Sequence, residues 1–155
     1  MRNDESGGQA RGAVEIGPAV GEADRAACYV IRGAVFVAEQ GVSSALEPDA
    51  EDPGAEHLLA RVGGVPLGTV RMVVRGRTGV LGRLAVLPSA RGTGLGARLV
   101  RALEEHAARC GVARIELHAQ LHARDFYTRL GYTAYGSEFT EAGMAHVSMA
   151  KEPVG

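Results

Sequence analysis

The chain has 155 residues, of which 46% are hydrophobic and 23% charged, and its net charge is −1. Such a length and composition give one globular domain with a sizeable core, and the near-zero charge lacks the basic field a nucleic-acid partner would need. No apolar run reaches the roughly 18 residues of a membrane span. The polar, glycine-rich start "MRNDESGGQARG" has no apolar signal core and reads as a flexible tail, residues 1–12, ahead of a domain at 13–152. Val14 and Ile16 alternate with polar neighbours, a short strand closed by Gly17-Pro18. From Glu22 to Glu39 the apolar positions recur at helical spacing, and Gly41 follows as a stop. Residues 43–55 are a polar, acidic connection. "HLLARV" (57–62) and "PLGTVRMVVR" (66–75) form a hairpin about Gly63-Gly64. "GRTG" (76–79) is a second turn, and "VLGRLAVL" (80–87) a third antiparallel strand. Residues 93–110 form a helix with Leu95, Leu99, Leu103 and Ala107 on one stripe. "ARIELHA" (113–119) is a strand and "LHARDFYTRLG" (121–131) a short helix. "YTAYGS" and "AHVSMAK" make a last strand pair joined by "EFTEAG". The order βαβββαβαββ describes one α/β domain with a mixed, mostly antiparallel sheet. Cys28 and Cys110 fall in helices without a CxxC partner, so buried reduced thiols in a cytoplasmic protein are expected, and no metal site.

The segment "RLAVLPSARGTGLGARL" carries the chemistry. A P-loop needs a lysine after its glycines, and Lys151 is the only lysine in the chain. Gly92, Gly94 and Ala97 satisfy the G-x-G-x-x-A of a dinucleotide fold, with Glu116 further on. In that fold, however, the first glycine follows its strand directly, whereas here Pro88-Ser89-Ala90-Arg91 intervene. A single βαβ unit behind a meander is also too little for that fold. The remaining pattern is R-x-x-G-x-G opening a helix, met by Arg91, Gly94 and Gly96. N–H groups at a helix N-terminus bind an anion, and glycine lets a diphosphate approach without a Cβ in the way.

These residues resemble the GNAT superfamily of N-acetyltransferases. "AQLHARDFYTRLGY" (119–132) is similar to that family's second signature, with Gln120 where an asparagine is usual. Five blocks in order, "VFVAEQGVS" (35–43), "HLLARVGGVPLGTVRM" (57–72), "GRLAVLPSARGTGLG" (82–96), "LHAQLHARDFY" (117–127) and "EFTEAGMAHVSM" (138–149), resemble its ElaA/YjcF-like branch. The resemblance implies a six- to seven-stranded sheet flanked by helices and splayed at the cofactor site, with acetyl-CoA as cofactor. It implies that Ala85, Val86 and Leu87 pair with the pantetheine amides, the Leu87 N–H facing the thioester carbonyl. It places the pyrophosphate on Arg91, Gly92, Thr93, Gly94, Leu95, Gly96 and Ala97. Gln120 would bind the pantetheine arm, Arg124 or Arg129 the adenosine end. Tyr127 would be the general acid.

The acceptor side is more open. Many GNAT proteins carry a glutamate before the cofactor loop, where this chain has Gly82 and Arg83. His57, His118 and His146 are alternative bases, because a neutral imidazole accepts a proton near pH 7. Of these His146 has the best position, and a water chain would serve equally. Between Arg32 and Arg61 there is no basic residue but six carboxylates: Glu39, Glu47, Asp49, Glu51, Asp52 and Glu56. Such a rim, with Gln40, Glu47, Asp49, His57 and His118 as acceptor contacts, would attract a cationic amine. The expected partner is therefore a small-molecule or peptide amine acceptor, met by a monomer or homodimer. The alternative is a non-catalytic acyl-CoA-binding module of the same fold.

Overall fold

A computed structural model describes residues 11–154, so residues 1–10 of the expected tail lie outside it. Seven strands form one sheet in the order β1-β2-β3-β4-β5-β7-β6. The chain divides into two compact units: residues up to Arg71 with Arg83–Ala102, and Met72–Gly82 with Leu103 onward.

In the first unit, β1 (Val14–Pro18) pairs antiparallel with β2 (Glu56–Val62), Val14 facing Val62 and Pro18 facing Leu58. Between them α1 runs from Glu22 to Arg32. No side chain caps its start, but Glu22 and Asp24 in its first turn complement the helix dipole. The sequence suggests one regular helix to Glu39. Instead, Gly33–Glu39 is a π-helical continuation, with the Gln40 N–H bonded five residues back to Val35 O at 3.1 Å. Gly33 and the β-branched Val35 and Val37 are weak helix formers, which makes the wider winding affordable there. Ala19, Cys28, Ile31, Val35, Leu59 and Ala85 form the buried cluster under this helix. Cys28 is sealed, and burial pushes its thiol pKa up, which suits an inert core residue.

Strands β3 (Val65–Arg75) and β4 (Thr78–Val86) are joined by a two-residue turn at Gly76-Arg77, shorter than the expected "GRTG". Counting from that turn, Leu67 would face Val86. The N–H bonded to Leu67 O, at 2.9 Å, is that of Leu87. One extra residue therefore sits in β4, the definition of a β-bulge. Arg83, at φ +53°, is the non-glycine residue in the left-handed region that absorbs it. The first turns of α2 (Leu95–Arg109) dock closely on β3 because Gly68 has no side chain. A Cβ there would meet Leu99 Cδ1 at 2.8 Å.

The second unit is built on β5 (Arg114–Gln120). It runs parallel to β4 over Thr78–Leu81 against Arg114–Leu117, with α2 as the crossover. It runs antiparallel to β7 (Met144–Lys151), which pairs with β6 (Thr133–Glu141). Residues 138–141, expected in a connection, continue β6, and the turn is only Ala142-Gly143. A register irregularity between Tyr135 and Phe139 breaks the alternation by which the sequence could have announced one long strand. The expected helix 121–131 is a 3₁₀ turn, Leu121–Ala123, followed by α3 (Arg124–Arg129). Cys110 lies one residue beyond α2 and is exposed, not buried as expected. Lys151, the lone lysine, has a structural place: its Nζ donates to Glu104 at 3.0 Å and to Leu130 O at 2.9 Å. The Tyr132 hydroxyl donates to the same carboxylate at 2.9 Å.

Candidate active site

The glycine loop takes the form its sequence requires. Pro88–Ala90 is a 3₁₀ turn. Gly92 and Gly94 follow at φ +77° and +85°, a conformation open to glycine at little cost. A Cβ built on Gly94 meets nothing within 4 Å, so its Cα faces open space. The Arg98 N–H bonds the Gly94 carbonyl at 3.1 Å. No bond to a main-chain acceptor is made by the N–H groups of residues 92–97 among the described residues. A row of free donors at the N-terminus of a 15-residue helix is an arrangement that favours a negative charge. A cavity of about 310 Å³ abuts the loop, with Thr93, Leu95 and Arg98 in its wall.

Arg91 turns away from the row of amides. Its Nε donates to Val86 O at 2.9 Å, and its Nη1 and Nη2 take both oxygens of Glu39 at 2.8 and 2.5 Å. The pair holds the Glu39 carboxyl below its ordinary pKa through that hydrogen bond. Leu87 requires a correction. Its N–H is already bonded to Leu67 O across the sheet, because the bulge at Arg83 shifts the register by one. It is not a spare donor for a carbonyl oxygen. The burial pattern of β4 places Ala85 inward and leaves Val86 half-buried.

The acidic segment is not an unpaired rim. Arg32, fully buried, donates Nε to Glu47 at 2.8 Å and Nη1 and Nη2 to Asp52 at 2.8 and 3.0 Å. Arg71 Nη1 reaches Asp49 at 2.7 Å and Asp52 at 2.9 Å. Arg83 closes the set on Glu47 O at 3.0 Å and on Asp49 at 3.2 Å. Three arginines thus meet three carboxylates, and the cluster is neutral. Burial alone would raise the Asp52 carboxyl, but bonds from Arg32, the Asp49 N–H and Arg71 outweigh it and hold the carboxyl well below the usual range. Glu47 is 4% exposed and Asp52 3%, so Glu47 is an internal counter-ion and offers no surface to an acceptor. His57 is likewise buried, its Nε2 donating to Asp52 O at 2.9 Å. Burial lowers its pKa, with that bond as a partial offset. Gln40 is exposed just beyond the π segment. The arginine partners lie 15 to 36 residues from the acids they neutralise, a distance at which no local pattern could have signalled them.

In the second unit, Tyr127 lies on α3 with 7% of its surface exposed. Its ring packs edge-on against Phe126 and Tyr132, with centroids 4.9 and 5.9 Å away. Burial drives its pKa above the ordinary tyrosine value, so the hydroxyl stays protonated. His146, on β7, donates Nδ1–H to Met144 O at 2.8 Å and stacks on Phe139. That bond fixes the tautomer and leaves the Nε2 lone pair as the acceptor of the neutral ring. His118 is exposed and bonded through Nδ1 to Glu141 at 2.8 Å. Gln120, half-buried, pairs with His122 at 2.6 Å. Arg124 is exposed at the start of α3.

With this geometry established, comparison with known proteins is specific. The model of the acetyltransferase (GNAT) domain matches residues 18–153. The Bacillus subtilis N-acetyltransferase YjcF is 36% identical over 125 residues, 80% of this chain and 89% of that one. An N-acetyltransferase structure from Lactobacillus plantarum superposes with a TM-score of 0.86 at 32% identity, covering 92% of this chain and 99% of that one. Escherichia coli ElaA shares the fold, with a TM-score of 0.80 at 24% identity over 90% and 100% of the two chains. The chain belongs to the GNAT acetyltransferase family. It is accordingly an N-acetyltransferase with acetyl-CoA as its acetyl donor, which displaces the reading of a non-catalytic module. The glycine loop fits that donor: it presents unpaired amides and no side chain where a diphosphate must come close. No helix among the described residues is long and apolar enough to cross a membrane.

Proposed function

We propose that the protein transfers acetyl directly from acetyl-CoA to a primary amine of a small molecule or a peptide. Acetyl-CoA supplies the activated thioester. The N–H groups of residues 92–97 hold its diphosphate, and Ala85 and Val86 lie along its pantetheine arm, with Gln120 as a polar contact and Arg124 toward the adenosine. Tyr127 is the general acid toward the departing sulfur. What supports this role is its hydroxyl: the ring is buried, the proton is retained, and no described side chain or carbonyl binds the oxygen. A raised pKa would make it a poor acid toward an ordinary thiol, whose pKa is about 8.5. A thiolate kept from water becomes more basic by the same desolvation, so the transfer stays matched.

An alkylammonium acceptor, with pKa near ~10.4, must lose a proton before it attacks. His146 Nε2 is the proposed acceptor of that proton, directly or through water, since its other nitrogen is fixed. His57, whose Nε2 is taken by Asp52 O and whose pKa burial lowers, is left out of this role. Because the cluster around Asp52 is neutral, an acceptor's positive charge finds no special attraction there. Acceptor choice then rests on shape and hydrogen bonding, with Gln40 and His118 as exposed contacts.

The test is a panel of primary amines with mass detection of the acetylated product, repeated with Tyr127→Phe. Loss of a positioned acid lowers kcat by on the order of 10²-fold and leaves acetyl-CoA affinity unchanged. An unaltered kcat would return Tyr127 to the packing of α3.

A further inference from the structure

The Arg91–Glu39 pair is left unused by the transfer itself. Arg91 heads the loop assigned to the diphosphate, yet its guanidinium is turned back and gripped end-on by both oxygens of Glu39. Its Nε is tied to the carbonyl at the end of β4. Both side chains are more than two-fifths exposed, and exposed ion pairs contribute little to stability. A two-point grip on the loop's own arginine therefore calls for another reason. Glu39 is also the last residue of the π-helical turn, and such turns are frequent at functional sites. The only formal positive charge on residues 88–97 is that of Arg91, and Glu39 cancels it.

We propose that Glu39 is a positioning residue that restrains and neutralises Arg91, so that the diphosphate of CoA is held by backbone amides alone and the spent cofactor is not bound too tightly to leave. This rests on the diphosphate seat proposed for residues 92–97. Neutralising Glu39 uncovers one positive charge beside a ligand bearing several negative ones. At separations near the ~8 Å screening length, that attraction corresponds to a gain in affinity of about threefold. A freed side chain that reaches a phosphate oxygen would add to it.

The test is calorimetry with CoA at 50 and 200 mM salt on the parent, Glu39→Gln, Glu39→Asp, Arg91→Gln and the double variant Glu39→Gln/Arg91→Gln. Glu39→Gln should bind CoA about threefold more tightly or better, with a steeper loss of affinity as salt rises. Glu39→Asp, which keeps the charge, should stay near the parent. The double variant should bind no more tightly than Arg91→Gln, since no arginine is left to uncover. Melting temperatures should stay together, because the pair is at the surface. Unchanged or weaker binding by Glu39→Gln overturns the proposal, as does a gain that persists without Arg91. Gly94→Val separates the two layers: if it binds CoA as the parent does, the seat itself is wrong, whatever Glu39 does.

Discussion

Two segments of the first unit carry opposite lessons. The glycine loop at 91–96, proposed to hold the diphosphate, offers main-chain groups, and the conformation of those groups is written locally. Gly92 and Gly94 sit at positive φ, and a helix begins at Leu95. The acidic segment at 43–55 does its work with side chains, and their partners come from α1, β3 and β4. One segment means what it spells. The other spells a negative surface and folds into a neutral, partly buried knot. A backbone site can be read from a few consecutive residues, whereas an ion-pair network is a property of the tertiary structure.

The sharpest way to break this contrast is to open the knot. Asp52→Ala strands Arg32 and Arg71, and an uncompensated buried charge costs about 3–5 kcal/mol. Chemical denaturation should show a loss of that size, whereas a surface acid such as Glu51 changed to Ala should cost within about 0.5 kcal/mol. A loss for Asp52→Ala no larger than that for Glu51→Ala would mean that the segment is the solvated rim its composition suggested.

The loop is broken by a side chain. Gly94→Val puts a branched group where nothing in the protein stands, so the expected damage is to the ligand: CoA affinity should fall by on the order of 10²-fold. The left-handed backbone itself costs a β-branched residue roughly 1–2 kcal/mol. Gly111 supplies the matched control, with φ +80° and equally open space. Gly111→Val should show the same drop in stability and bind CoA normally. Equal losses of CoA affinity in both would reduce the effect to strain.

These two segments also mark how far the sequence could be read. The glycine loop, α2 as a crossover, the parallel pairing of β4 with β5 and the placement of Tyr127 on a helix before Gly131 follow from local spacing and turn residues. Three features do not. The N–H of Leu87 is consumed because a bulge at Arg83 shifts the register, and arginine gives no warning of a left-handed backbone. Residues 138–141 continue β6, although glutamates beside a Glu-Ala-Gly turn look like loop. Glu39 was visible inside "VFVAEQ", but its partner Arg91 lies 52 residues away.

A smaller effect comes from the burial of His57. Burial lowers the pKa of His57 in the folded protein, while the unfolded chain titrates near ~6.5. Below that pH the unfolded state binds the proton and the folded state resists it. Stability contributed by neutral His57 is therefore present above about pH 6.5 and is lost as pH falls toward the lowered value, with a slope of at most about 1.4 kcal/mol per pH unit. Asp49 and Asp52 have lowered pKa values too, and their contribution begins to fade only below about pH 4. His57→Gln, which can still donate to Asp52 O, should flatten the curve between pH 5 and 6.5 and leave the steeper decline near pH 4. A parent curve already flat from pH 7 to 5 would show that His57 takes up its proton without strain.

The smallest effect tests the acidic segment where it would matter to catalysis. An unpaired rim of carboxylates would draw a cationic amine from a distance, and salt screens such attraction over roughly 8 Å at physiological ionic strength. In the folded protein Glu47 is closed in by Arg32 and Arg83, and Asp49 by Arg71 and Arg83. Little field is left to screen. The KM for a cationic acceptor should change by less than about twofold between 50 and 500 mM salt, and a neutral acceptor of similar shape should behave alike. Glu47→Gln with Asp49→Asn removes two charges from a balanced set and exposes net positive charge. If anything, it should raise KM for a cation by repulsion, and its clearer mark should be lost stability. A KM that climbs steeply with salt in the parent, and loses that dependence in the double variant at unchanged stability, would restore the rim and make the arginine cluster a feature of the protein at rest only.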